Sequence, residues 1–186
     1  MKPLAAIAFS VFYALFNLLY RAERYGELES DYKRYSPRIK DKSLASQAKF
    51  LMGMTLFDAD RYADAVAYFR GVKPPADTDL VIEAAIRHAD CDYNLKRYKA
   101  ALERYTKISE DHPQTRWGRE AMYSAQLCKI KFGFSESAIT GFERFLQQNP
   151  EDPLAKDVAR EAARLYMNFG DVDQAERKLD FLEKNG

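Results

Sequence analysis

The sequence is poor in the residues that break helices or staple small folds. Eight glycines and seven prolines in 186 residues, with no Ser/Gly-rich or Pro-rich run, leave little material for flexible linkers or a turn-rich β architecture. Two cysteines, Cys91 and Cys128, are too few for a disulfide scaffold and do not decide the redox compartment. An excess of one charge is also missing. The 29 Lys+Arg against 28 Asp+Glu leave a net charge of +1, so no global field draws the chain to nucleic acid or another polyanion. No nucleic-acid partner is expected. Neither a Gly-rich phosphate loop nor a CxxC pair occurs. What dominates instead is Ala, Leu, Glu, Lys and Arg, the composition of helices, in a chain 47% hydrophobic and long enough to bury a core.

Internal period is the strongest positive signal. Five copies align on a turn followed by a small residue: Arg24-Tyr25 to Leu28, Arg61-Tyr62 to Ala65, Arg97-Tyr98 to Ala101, Phe134-Ser135 to Ala138 and Asp171-Val172 to Ala175. From Leu28 to Ala175 the successive steps are 37, 36, 37 and 37 residues. An apolar residue follows four positions on (Tyr32, Phe69, Tyr105, Phe142, Leu179) and another three beyond (Tyr35, Val72, Ile108, Phe145, Leu182), which is the spacing of one helix face. Upstream in each copy a second helical segment runs through 12–20, 48–57, 84–93, 122–130 and 159–167. Each copy is therefore a helical hairpin, and the fold class is all-α. The small residue lets the two helices approach, and the turn aromatic, Tyr62 or Tyr98, is expected to wedge between neighbouring hairpins. Pro74-Pro75, Pro113 and Pro150 follow the second helix and stop it.

This pattern resembles the tetratricopeptide repeat family over essentially the whole chain. Copies two and three carry it best, through Met52-Gly53, Leu56, Tyr62, Ala65, Phe69 and Val72, and through Ala89, Tyr98, Ala101, Tyr105, Ile108 and Pro113. Phe16 and Leu28 stand where small residues are usual, copy four departs from the pattern at Gln126 and Ser135, and the period exceeds the family's. The resemblance implies an α-solenoid, a right-handed superhelix of five hairpins with a 36–37-residue period, forming one domain over 1–186 with repeats at about 4–37, 44–76, 81–113, 118–150 and 155–184. Asp111-His112-Pro113-Gln114-Thr115 leading into Ala121-Met122-Tyr123 looks like the bacterial envelope branch, which favours a periplasm-facing location over the cytoplasm.

Leu4 to Tyr20 is nearly continuous apolar sequence, broken by Ser10 and Asn17 and flanked by Lys2, Arg21, Glu23 and Arg24. A cleavable signal peptide would need a small-x-small site that is missing before Arg21. A membrane anchor of this length sits at the short end of the spanning range. The repeat register favours a third reading, the first helix of copy one with Phe12, Leu15 and Leu19 on its packing face. Terminal repeats usually present a polar outer face, and this helix is apolar all round. A second copy of the chain, a preceding part of a longer protein, or a membrane surface touching 4–20 is expected to cover it.

Chemistry-bearing clusters are weak. His88 and Cys91 are i, i+3 on a helix without further ligands nearby, so they read as packing residues, and no metal or cofactor is expected. Cys91 and Cys128 occupy one column of successive copies, too far apart for a disulfide if neighbouring helices pack at the usual spacing, which predicts two free buried thiols. His112 has no Ser or Cys nucleophile at a recognisable spacing. No catalytic residue is predicted. In the family that the chain resembles, the first helices of successive hairpins line a concave groove for a peptide or helix of a partner. Carried across by register, the lining would be Phe50, Met54 and Phe57; Ile86, Asp90 and Tyr93; Tyr123, Leu127 and Ile130; and Arg160, Arg164 and Met167. That groove reads as apolar at its centre and basic toward its C-terminal end. The expected function is a non-catalytic protein-binding scaffold in an envelope assembly. The alternatives are a self-assembling module that uses the apolar N-terminal helix, and a membrane-anchored accessory subunit of an enzyme or secretion complex.

Overall fold

The computed structural model describes residues 3–184, with side chains from 11 to 183. Ten α-helices follow one another, with no strand among the described residues: α1 (Pro3–Arg21), α2 (Tyr25–Tyr35), α3 (Lys42–Asp58), α4 (Tyr62–Arg70), α5 (Thr78–Asn94), α6 (Tyr98–Asp111), α7 (Arg116–Lys131), α8 (Ser135–Gln148), α9 (Ala155–Phe169) and α10 (Val172–Lys184). A single 3-10 turn, Ser36–Arg38, follows α2. The five leading helices, α1, α3, α5, α7 and α9, contain the five upstream segments, and the trailing helices begin at the predicted turns. α4, α6 and α8 end at Arg70, Asp111 and Gln148, ahead of Pro74, Pro113 and Pro150.

The repeat holds down to single backbone bonds. In each hairpin turn one residue is left-handed, at the same column: Glu23 (φ 55), Asp60 (56), Lys96 (61), Gly133 (80) and Gly170 (78). The next residue's amide reaches back to a leading-helix carbonyl five positions earlier, Arg24 to Leu19 at 2.9 Å, Arg61 to Leu56 at 2.8 Å, Arg97 to Asp92 at 2.8 Å, Phe134 to Lys129 at 2.9 Å and Asp171 to Tyr166 at 3.0 Å. This is a Schellman-type ending, which satisfies carbonyls the helix leaves open. Helix starts are fixed by side chains: Asp41 accepts from the Leu44 amide, Asp77 from those of Asp79 and Leu80, and Thr115 from that of Gly118.

The chain divides into two compact units, Met1–Arg97 and Tyr98–Gly186. In the first, α1 packs on α2 and α3, α3 on α4 and α5, and α4 on α5. Its core gathers Leu19, Leu28, Met52, Leu56, Ala65 and Phe69 with Ala84 and Cys91. In the second, α6 packs on α7, α7 on α8, α8 on α9 and α9 on α10. Its core is built from Ala138, Phe142, Phe145, Val158, Ala162 and Leu165. The small-residue column, Leu28, Ala65, Ala101, Ala138 and Ala175, is wholly buried in every copy. Both cysteines are buried thiols outside any disulfide, as expected.

The departures from the pattern are matched by their neighbours. Phe16 is fully buried and packs with Ala48 and Leu51, its ring 6.2 Å from that of Tyr32. Gln126 stands where copies two, three and five have Gly53, Ala89 and Ala163, and the facing residue on α8 is Gly141, where a Cβ would lie 2.2 Å from the Gln126 amide. Volume gained on one helix is given up on the other. Of the two turn aromatics, Tyr98 reaches the next hairpin, edge-on to Phe132 at 6.4 Å. Tyr62 instead packs edge-on to Phe57 of its own hairpin at 5.1 Å and donates to Asp60. The wedge is seen at Tyr98, and Tyr62, besides bracing its own turn, rests against the core that holds Ala84 and Cys91 of the next hairpin.

α1 takes its place as the first leading helix, with Phe16 and Leu19 buried and Phe12 and Leu15 half-buried. Residues 4–10 of the apolar stretch, part of the segment expected to meet a covering surface, lie outside the described side chains. Among the described residues, no helix is long and apolar enough to cross a membrane.

Candidate partner-binding surface

Within each leading helix the columns sort by burial. Ala48, Ala84, Ala121 and Val158 are buried, as are Thr55, Cys91, Cys128 and Leu165. The columns assigned to the groove behave differently. In the first unit, Phe50, Met54 and Phe57 of α3 are half-buried and rest against the core, and Asp90 and Tyr93 of α5 are half-buried as well. In the second unit, Tyr123, Leu127 and Ile130 of α7 are half-buried over the Phe142 and Val158 core, and Arg160, Arg164 and Met167 of α9 are exposed.

Two details differ from the sequence reading. Ile86 is 0% exposed, so it supports the α5 face from beneath and does not line it. A branched aliphatic chain ends inside the layer where the rings of Phe50 and Tyr123, in the same column, reach past it. The C-terminal end is also not a bare basic patch. Arg160 binds Asp157 at 2.5 Å and Arg164 binds Glu161 at 2.6 Å, each one turn back on α9, so the guanidinium charges are largely balanced.

The structure adds residues to the first unit's face. Tyr20 occupies the column of Phe57 and Tyr93 one copy earlier, and its hydroxyl donates to Asp58 of α3 at 2.7 Å. Burial and that carboxylate push the Tyr20 phenol well above its ordinary range. Arg87, one turn before Asp90 on α5, binds it at 2.7 Å, so the acidic residue predicted to face a partner already carries a guanidinium. Extending the column by one copy would have found Tyr20. The i, i+3 pairs of Arg87 with Asp90 and of Asp157 with Arg160 were likewise open to reading.

A separate cleft of about 700 Å3 lies in the second unit between α6, α7 and α8. It is lined by Glu110 of α6, Gln126 and Lys129 of α7, and Glu136 and Arg144 of α8, and by none of Tyr123, Leu127 and Ile130. Burial and the nearby Arg144 hold the Lys129 ammonium below its usual range.

Candidates for chemistry resolve into packing. His88 and Asp92 are both buried on α5 with Nε2 3.8 Å from the carboxylate, and Arg97 approaches the same carboxylate at 3.7 Å. Burial, with Asp90 and Asp92 beside it, pushes the Cys91 thiol up to about 12, which leaves a poor nucleophile and metal ligand at neutral pH. Among the described residues, no three His, Cys, Asp or Glu side chains converge as a metal ion would require.

Comparison with solved structures places the fold among tetratricopeptide-like helical arrays. The TPR-like repeats of a kinesin light chain from Podosopora anserina superpose with a TM-score of 0.73 at 11% identity, over 100% of this chain and 97% of that one. A double mutant of MamA (RS-1) gives 0.74 at 17% identity over 95% and 93%. YrrB, described as a TPR protein with an unusual peptide-binding site, gives 0.63 at 20% identity over 94% and 84%. No protein-family model and no curated protein matches the sequence. At these identities the likeness is one of fold: the chain is similar to TPR proteins in its helical-hairpin architecture.

Proposed function

We propose that the chain is a non-catalytic scaffold that binds an apolar peptide or helix of a partner protein on the faces of its leading helices. One observation carries this reading. In copies two to four, eight of the nine positions assigned by register are apolar or aromatic (all but Asp90), and all but Ile86 keep part of their surface in solvent, although the columns of Ala48 and Thr55 are closed. Within each unit, apolar side chains held half-exposed on helices are what an amphipathic segment needs to dock. The description of YrrB as peptide-binding lends support from a protein of the same fold. The bacterial envelope is the setting implied by the resemblance of residues 111–115.

Selection from a displayed random-peptide library tests it. The reading expects enrichment of sequences with apolar residues at helical or alternating spacing. Their binding should be lost on changing Tyr123→Glu together with Leu127→Glu, measured at a temperature where circular dichroism shows the variant as helical as the wild type. Binding that survives this pair would place recognition elsewhere.

A further inference from the structure

The two ends of the array expose the two halves of a contact that is made inside it. On the leading helices, the column of Val11 is buried in all later copies (Ala48, Ala84, Ala121, Val158), and so is that of Leu18 (Thr55, Cys91, Cys128, Leu165). Val11 and Leu18 themselves are 59% and 64% exposed. On the trailing helices, the column of Leu179 is half-buried at Tyr32 and closed at Phe69, Tyr105 and Phe142, whereas Leu179 is 49% exposed. These columns belong together. Phe69 shares a core with Ala84 and Cys91 in the first unit, and Phe142 shares one with Val158 and Leu165 in the second. A trailing-helix residue thus packs on the two leading-helix columns of the next copy. Within these five copies, Leu179 has no following copy to pack on, and Val11 and Leu18 have no preceding one.

The charges repeat the same logic. Glu29 of α2 accepts from Arg61, in the turn of the following copy, at 3.0 Å, and Arg61 also holds Asp64 at 2.8 Å. Copies two to four have Val66, Leu102 and Ile139 in the Glu29 column, and the acid returns only at Glu176 of α10. Glu176 is exposed and has no ion-pair partner among the described residues. In the Arg61 column of copy one stands Arg24, exposed and bound to Glu27 at 2.6 Å just as Arg61 is to Asp64. An Arg24 set against Glu176 would reproduce the Glu29, Arg61 and Asp64 group, with Glu27 in the place of Asp64.

We propose that copies of this chain join end to end, α10 of one copy against α1 of the next, with Leu179 packed on Val11 and Leu18 and Glu176 paired to Arg24. The occupant of each open end is a second copy of the same chain, because each end carries the apolar columns and the charge that the other lacks. The contact uses different surfaces on the two partners, so association does not stop at two copies unless a ring closes. This inference is independent of the peptide-binding reading.

Sedimentation velocity of the full chain over a wide concentration range, at low and high salt, tests it. The wild type should form concentration-dependent species larger than the monomer. Leu18→Glu and Leu179→Glu, both at exposed positions and checked for unchanged helicity, should each abolish them. Arg24→Glu alone and Glu176→Arg alone should each weaken association by about tenfold or more through like-charge contact. Mixing the two variants should restore a complex, because the carboxylate introduced on one then meets the guanidinium introduced on the other. A wild type that stays monomeric throughout would overturn the proposal. So would association that ignores Leu18 and Leu179, which would mean that another face is used, or a charge-swapped mixture no tighter than either variant alone.

Discussion

At the scale of single residues, the five left-handed turn positions are the most telling. Gly133 and Gly170 adopt a φ that costs an L residue about 1 kcal/mol, while Glu23, Asp60 and Lys96 bear that cost. A Cβ at either glycine would meet nothing within 4 Å, so the backbone angle alone decides the outcome. Gly133→Ala and Gly170→Ala should each lower unfolding stability by about 1 kcal/mol, and Lys96→Gly should raise it by up to about the same amount, less the entropy that glycine loses on folding. Urea unfolding measures both. Gln126 and Gly141 form a second test: Gly141→Ala should cost about 1–3 kcal/mol by overpacking, and most of that should vanish in a Gln126→Ala background, as expected for residues in contact. A Gly141→Ala cost that is unchanged by Gln126→Ala would show that the two do not share one space. Gln126 was visible in the sequence as a departure from the repeat, but its compensation by Gly141 was not. Residues 15 positions apart become neighbours only through the packing of α7 on α8.

At the scale of helices, the order of elements, the turns and the stops were legible because each column repeats one physical requirement five times. The same register puts α1 in the place of a first leading helix, whereas its composition alone would equally suit an anchor. What it could not give was depth. Ile86 shares a column with Phe50 and Tyr123, yet side-chain reach, which a register does not record, puts it in the interior. Helix-to-helix ties made by tyrosine were also hidden: Tyr166 donates to Glu143 of α8 at 3.0 Å, and the Tyr32 ring meets Tyr68 of α4 edge-on at 5.5 Å. Burial is the leading cause that raises Tyr32 and Tyr166 from 10.0 to about 12, and it also raises Cys91 from 9.0 to about 12. The unfolded chain therefore releases these protons at lower pH than the folded one. Their contribution is intact below about pH 9 and is lost progressively as pH rises toward 12. Melting temperature should accordingly fall across that alkaline window, with part of the fall removed by Cys91→Ala when each variant is referenced to its own neutral value. A melting temperature that is level up to pH 12 would contradict the burial of these groups.

At the scale of the whole molecule, two kinds of surface emerge from one repeat. The leading-helix columns that stay half-open in each unit offer an apolar face to a foreign segment. The columns most exposed at the first and last copies offer a face to the chain itself. Both follow from sequence columns, but only burial distinguishes a column that is closed everywhere from one that is open at an end. Amide hydrogen exchange of the full chain, with and without a library-selected peptide, tests the claim of partner binding most directly. The account predicts added protection in α3 and α5 of the first unit or α7 of the second. Protection confined to the α6, α7 and α8 cleft around Lys129 and Arg144, or to α1 and α10, would contradict it.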